Sequence, residues 1–141
     1  MGIIMIDKVY IQSKWANKIL DGEKSIETRH FGLHPKYWGV PLYIQTENRF
    51  LIGQVIFKSS FKYRNVEDFD RDYEFHLVDQ KSQFHFTKRV RTCGWFVGWY
   101  RRLREPKLAK PFKGQFPLQL ATDTLRPVSY THLRAHETYP H

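Results

Sequence analysis

The sequence has a single cysteine and no long apolar run, and both shortages narrow the class of protein. Because Cys93 stands alone among 141 residues, the chain can build neither a disulfide framework nor a cysteine-based zinc site, which favours a reducing compartment. The apolar residues 3–6 are followed by Asp7 and Lys8, so this run is too short for a signal peptide or a membrane span. We therefore expect a cytoplasmic or nuclear protein that does not contact a membrane.

Sequence signatures of common catalytic and cofactor sites are also missing. The chain has no Gly-x-Ser-x-Gly nucleophile motif, no Walker-type phosphate loop and no dinucleotide fingerprint. His30 and His34 are four residues apart, but Gly32 between them and Pro35 after them oppose the helical geometry that a metal pair needs. We expect neither a metal ion nor a cofactor.

Basic and aromatic residues are abundant. Lys and Arg total 23 against 14 Asp and Glu, a formal charge of +9, and the chain has 11 Phe, 8 Tyr and 4 Trp. Basic side chains neutralise phosphates and aromatic rings stack on bases, so this composition favours a nucleic acid partner over a merely solvated basic surface. Two basic clusters, which form one patch if their strands pair, are candidate phosphate contacts: Lys88, Arg89 and Arg91, and Arg101, Arg102 and Arg104.

A short strand and a helix with both ends marked begin the chain. Residues 8–12 alternate apolar and polar side chains, which predicts a half-buried strand. Ser13 is the predicted N-cap of an amphipathic helix whose apolar face includes Trp15. Gly22 fits the left-handed position that follows a helix end.

Residues 24–30 come next and predict a second strand that concentrates charged side chains. On an extended chain Glu27 and Arg29 share one face, where an ion pair between them competes with a role in binding. Ile26 points to the core on the opposite face. Lys24 also belongs to that opposite face and joins Glu27 and Arg29 only if the start of the strand bends.

The remaining pattern predicts a mainly β domain. An N-cap at Asn65 predicts a second helix that runs to about residue 73, and Gly53 marks a bulge or a close backbone approach. Further strands are predicted at residues 40–45, 50–58, 84–90, 93–103 and 114–121. Many short strands with two brief helices indicate an α+β, mainly β fold, a small mixed barrel and not a parallel α/β sheet.

The chain length fits one domain, which we place at residues 1–127. Residues 128–141 lack the alternating aromatic residues of the domain and carry three of the seven histidines. We interpret this tail as a disordered end or a non-native addition and assign it no function.

The charged strand carries a motif. Gly22, Lys24, Glu27 and Arg29 form a Gly-x-Lys-x-x-Glu-x-Arg pattern that resembles the signature of the ASCH domain, a branch of the PUA-like superfamily. Weaker features in the expected order extend this resemblance over roughly residues 9–121. It implies a small PUA-like β-barrel with short flanking helices, a cleft over one end, and a role on RNA or modified nucleosides.

Some ASCH proteins are amidohydrolases that act on acetylated cytidine, and others are ribonucleases or RNA-binding modules. In the amidohydrolase branch a threonine follows the lysine by three positions, and a distant glutamate completes the site. Lys24 matches that lysine, whereas Glu27 occupies the position of the threonine. We therefore rank binding above deacetylation.

Aromatic residues outside the motif are candidates for base stacking, because every base has a π-face. Trp38 and its neighbour Tyr37 lie in a loop and are the preferred candidates, whereas Trp15 and Trp95 fit a core position better. His76 is a candidate cleft residue, although a lone histidine is more often structural.

Three functional hypotheses follow. The first is an RNA- or nucleotide-binding domain with Lys24, Glu27 and Arg29 in the cleft and the basic clusters as its rim. The second is a nucleoside amidohydrolase or a ribonuclease that uses Lys24 and Glu27 in acid–base roles. The third is an adaptor whose basic face meets an acidic protein partner. We expect a monomer.

Overall fold

Seven β-strands and three short α-helices form the computed structural model, which describes residues 3–112, 118–124 and 126–127. The strands are β1 (Ile3–Tyr10), β2 (Ile26–Arg29), β3 (Pro41–Gln45), β4 (Phe50–Lys62), β5 (Cys93–Leu108), β6 (Leu118–Thr124) and β7 (Arg126–Pro127). The helices are α1 (Ser13–Leu20), α2 (Val66–Arg71) and α3 (Tyr73–His76), with single 3₁₀ turns at Pro35–Tyr37 and Phe86–Lys88. The tail at residues 128–141 lies outside the described residues.

The strands form one sheet in the order β2-β5-β4-β3-β1-β6. β1 and β3 are parallel, and the other pairs are antiparallel. β6 pairs with β1, and β7 follows it closely in the chain and pairs with β5, so the sheet curls back on itself. The prediction of an α+β, mainly β, small PUA-like β-barrel with short flanking helices is confirmed.

Helix α1 lies against the barrel and leads the chain into the site. Its buried face includes Trp15 and Ile19, as the apolar spacing predicted. Gly22 has a φ of +80°, which confirms the left-handed position after the helix. The predicted N-cap is wrong by one residue, because Gln12 is the N-cap and Ser13 is the first helical residue.

The core joins α1 to the strands through close packing. Trp95 on β5 is fully buried, and its ring meets the ring of Phe57 edge to face at 5.3 Å between centroids. A Cβ atom on Gly53 would lie 2.6 Å from the Leu20 side chain and 2.8 Å from the Arg101 carbonyl oxygen. The close backbone approach predicted for Gly53 is therefore confirmed.

The second half of the chain departs from the predicted boundaries. The strand predicted at 84–90 is wrong, because this segment contains the 3₁₀ turn Phe86–Lys88. β5 continues through Pro106 to Leu108, five residues beyond the predicted end. The predicted helix after Asn65 divides into α2 and α3. Asn65 is the N-cap as predicted, and its side chain accepts a 2.8 Å hydrogen bond from the Asp68 N–H.

No helix in the described part of the chain is long and apolar enough to cross a membrane.

Candidate functional site

A cleft of about 270 Å³ opens where the ends of β1 and β2 meet α1 and the segment before β5. Three basic side chains, one acidic side chain and several aromatic rings share its walls, so positive charge and flat apolar surface occur together. We call it the Lys24 cleft. Its lining residues are Tyr10, Gln12, Trp15, Lys24, Glu27, Thr28, Arg29, His30, Phe31, Phe84 and Arg89.

Lys24 reaches the cleft because the chain turns after α1 before it becomes extended. The Lys18 carbonyl oxygen accepts hydrogen bonds from the N–H groups of Glu23 at 2.9 Å and Lys24 at 3.0 Å. The Ser25 N–H then donates to the Phe75 carbonyl oxygen at 2.9 Å. β2 begins only after Ser25, so strand alternation does not fix the direction of the Lys24 side chain. This is the bend that the sequence required if Lys24, Glu27 and Arg29 were to meet.

The Lys24 ammonium is held in an almost dry environment, since the residue is 2 % exposed. Its Nζ atom donates to the His76 carbonyl oxygen, lies 3.9 Å from Glu27 Oε1, and sits 4.7 Å from the centroid of the Trp15 ring. Burial lowers the pKa of Lys24 to about 8, and the negative charge of Glu27 limits this fall. Lys24 therefore loses its proton closer to neutral pH than an ordinary lysine does.

Glu27 and Arg29 form the ion pair that the sequence allowed. Glu27 Oε2 accepts from Arg29 Nε at 2.9 Å and lies 2.8 Å from Arg29 Nη2. Arg29 Nη2 also donates to the Tyr10 carbonyl oxygen at 2.6 Å, and the guanidinium carbon lies 5.3 Å from the centroid of the Trp95 ring. These contacts fix Arg29 at the cleft wall, so the pair is structural and both members still line the cleft.

Arg89 faces this pair from the segment before β5. Its guanidinium carbon lies 5.0 Å from the centroid of the Phe84 ring, and its buried Nη1 atom has no hydrogen-bond partner among the residues that the structure describes. Burial lowers the pKa of Arg89, and the positive charge of Arg29 lowers it further. An unpaired buried donor on a charged group is costly, so Arg89 is suited to an anionic ligand.

The other predicted cleft residues lie elsewhere. Trp38 Nε1 donates to the Leu33 carbonyl oxygen at 3.0 Å, and neither Trp38 nor Tyr37 lines the cleft. The His76 ring is buried and fully bonded: Nε2 donates to the Phe69 carbonyl oxygen at 2.6 Å, and Nδ1 accepts from the Val78 N–H at 2.9 Å. Burial lowers the pKa of His76, which keeps the ring neutral. His76 therefore acts through its carbonyl oxygen, which positions Lys24.

The two basic clusters do not form one patch by strand pairing, because residues 84–90 are not a strand. Arg89 lines the cleft, and Arg91 precedes β5, with its Nε donating to the His30 carbonyl oxygen at 2.9 Å. The second cluster lies eight to eleven residues further along β5 than Cys93. Its members are Arg101, bonded to Gln54 at 2.5 Å; Arg102, bonded to Asn17 at 2.9 Å and Asp21 at 2.8 Å; and the exposed Arg104.

Several lining residues had no signal in the sequence. Tyr10 ends β1 and Phe84 lies in a segment without regular structure, and only the fold brings them together. Trp15 was assigned to the core; it does pack there, but one side of its ring lines the cleft beside Lys24. Its position on α1, nine residues before Lys24, was the available clue. Within the described residues no cluster of His, Cys, Asp and Glu side chains is suited to a metal ion.

The barrel and its flanking helices have the fold of an ASCH domain, as the motif around Lys24 predicted. The chain is similar to the crystal structure of ASCH from Zymomonas mobilis, with a TM-score of 0.64 and 15% identity over 94% of this chain and 96% of that chain. A serine-to-alanine variant of that protein gives a TM-score of 0.65 and 13% identity, covering 82% of this chain and 87% of that one. A tyrosine-to-phenylalanine variant gives 0.64 and 16%, covering 94% and 98%. No family model and no curated protein matches the sequence.

Proposed function

We propose that this ASCH-type domain binds RNA or a nucleotide and takes a base into the Lys24 cleft. The observation that carries the proposal is Arg89, whose buried Nη1 atom lacks a partner among the described residues and whose guanidinium lies over Phe84 at the cleft wall. With Lys24 and Arg29 opposed by Glu27 alone, the cleft has an excess of positive charge that favours an anion.

The aromatic walls support a base as the group inside the cleft. Trp15 and Phe84 meet edge to face, with ring centroids 6.3 Å apart, and both line the cleft. Flat apolar surface at the cleft wall favours a base, which gains stacking free energy whatever its sequence identity. The cleft volume of about 270 Å³ is just below the range of about 300–1,000 Å³ for small-molecule sites, so one nucleoside fits better than several.

Replacing Arg89 with glutamine is expected to weaken binding of single-stranded RNA about tenfold, the effect of losing one charge-assisted hydrogen bond. Fluorescence anisotropy with a labelled oligonucleotide at two salt concentrations measures this loss. Arg71→Gln is the matched control, because it removes the same charge from an exposed side chain on α2 that does not line the cleft. Equal losses in the two variants would mean that net charge alone, and not the cleft, attracts RNA.

A nucleoside amidohydrolase or ribonuclease is the second candidate function, and the environment of Lys24 favours it. Its lowered pKa, about 8, and the Glu27 carboxylate 3.9 Å away are suited to proton transfer near neutral pH. Glu27 replaces the threonine that the amidohydrolase branch carries at this spacing. Thr28, the next residue, also lines the cleft.

If the protein is such an enzyme, its turnover of acetylated cytidine or single-stranded RNA should rise with pH through about 8, as Lys24 loses its proton. Product analysis by chromatography between pH 6 and pH 9 tests this. Lys24→Met should abolish turnover while the protein remains folded. If wild-type protein forms no product from either substrate over this range, the enzymatic hypothesis is wrong.

A further inference from the structure

A second, more open basic groove adjoins the Lys24 cleft. It is lined by His30, Lys62, Arg89, Val90 and Arg91, and no acidic side chain among the described residues lines it. His30 and Arg89 also line the Lys24 cleft, so the two spaces share a boundary. We call this space the Lys62 groove.

Strand register brings the groove to the cleft. Cys93 on β5 pairs with Arg29 on β2 and with Lys62 on β4, so these three residues form one row across the sheet. Arg91 precedes Cys93 by two residues, and its hydrogen bond to the His30 carbonyl oxygen joins it to the end of β2. The basic side chains of the groove therefore lie beside the end of β2, where that strand leaves the cleft.

The charges of this groove are not compensated by carboxylates. Within residues 3–112, 118–124 and 126–127, the Lys62 side chain makes no hydrogen bond or salt bridge, and the hydrogen bond to His30 uses only the Nε atom of Arg91. Three other surface arginines differ, since each is paired with a carboxylate: Arg64 and Arg71 with Asp68, and Arg102 with Asp21. A groove lined by cations and by no acidic side chain, next to a cleft for a base, is suited to phosphate.

We infer that the Lys62 groove is a phosphate subsite, occupied by the phosphate of the nucleotide whose base lies in the Lys24 cleft. The inference rests on the proposed function and narrows its ligand to a nucleoside phosphate, either a free nucleotide or a phosphodiester within RNA. Arg89 lies at the boundary and contacts both halves of the ligand. Lys62 and Arg91 contact the phosphate alone.

Calorimetry with the four nucleosides, their 5′- and 3′-monophosphates, and dinucleoside monophosphates tests the subsite. A phosphate should tighten binding about tenfold or more over the matching nucleoside, because each charge-assisted contact contributes about that factor. Lys62→Met and Arg91→Gln should each remove most of this gain and leave nucleoside affinity within about twofold. Arg71→Gln, which removes an exposed charge outside the groove, should leave both quantities unchanged.

The outcomes separate the two proposals. Nucleoside binding without a gain from phosphate would overturn the subsite and leave the proposed function standing, whereas no binding by any of these ligands would overturn both. A gain lost equally in Arg71→Gln would also overturn the subsite, since the overall positive charge of the protein would then explain it. Tighter binding of dinucleoside monophosphates than of mononucleotides would identify RNA as the source of the phosphate, and the reverse order would identify a free nucleotide.

Discussion

Replacing Glu27 with glutamine is expected to lower the free energy of unfolding by about 3 to 5 kcal/mol, the range measured when one member of a buried ion pair is removed. Glu27 is 4 % exposed, and its carboxylate lies 2.8 Å from Arg29 Nη2 and 3.9 Å from Lys24 Nζ. Glutamine keeps the shape and removes the charge, so two buried cations lose their only carboxylate within 4.0 Å among the described residues. Urea unfolding at pH 7 measures the loss.

Glu105→Gln is the control, since Glu105 is exposed on β5 and an exposed substitution of this kind changes stability by about 0.5 kcal/mol or less. The loss of Glu27 should also lower the pKa of Lys24 below about 8, because the negative charge of Glu27 favours the protonated amine. Proton release from Lys24 then relieves part of the repulsion, so the destabilisation should be smaller at pH 9 than at pH 7. Losses of similar size in Glu27→Gln and Glu105→Gln would contradict the buried ion pair.

The fold class and the strand that carries Glu27 and Arg29 could be predicted from the sequence, because both depend on local patterns. Gly22 marked the end of α1 through its left-handed backbone, and alternation placed Glu27 and Arg29 on one face. The direction of Lys24 was left open by the sequence, since it depends on hydrogen bonds from Glu23 and Lys24 to the Lys18 carbonyl oxygen. A turn set by such bonds has no apolar period, so pattern reasoning does not predict it.

The far wall of the cleft and the basic groove could not be predicted, because they depend on contacts between distant parts of the chain. Phe84 and Arg89 lie in a segment whose alternating aromatics indicated a strand, yet it contains only a single 3₁₀ turn. Lys62 becomes a neighbour of Arg29 through the pairing of both strands with β5. The sequence carries no marker of that register, since β4 and β5 are long and contain register shifts.

Replacing Lys24 with methionine is expected to change how stability depends on pH. The pKa of Lys24 is about 8 in the folded chain and near the ordinary lysine value of 10.5 when unfolded, so below pH 8 the buried ammonium reduces stability. As pH rises from 8 to 10.5 the folded chain binds fewer protons than the unfolded chain, and this reduction disappears. Wild-type protein should therefore gain about 2 to 3 kcal/mol relative to Lys24→Met between pH 7 and pH 10.

The comparison must be a difference between the two proteins, because other groups titrate in the same window with the opposite sign. Burial raises the pKa values of the Cys93 thiol and of the Tyr10 and Tyr63 hydroxyls, so their ionisation lowers stability as pH rises. These groups are present in both proteins and cancel when the free energies of unfolding, measured in urea at each pH, are subtracted.

Lys14→Met provides the matched control on α1, since Lys14 is exposed and remains in contact with water on folding. Its difference from wild-type protein should be constant over the same pH range. A constant difference for Lys24→Met as well would mean that Lys24 keeps an ordinary pKa in the folded chain. The ammonium would then be hydrated, and the cleft would contain more water than the burial of Lys24 indicates. Lys24 would in that case not be suited to act as a general base near neutral pH. A rising difference would instead place a partly neutral amine beside Glu27 at neutral pH.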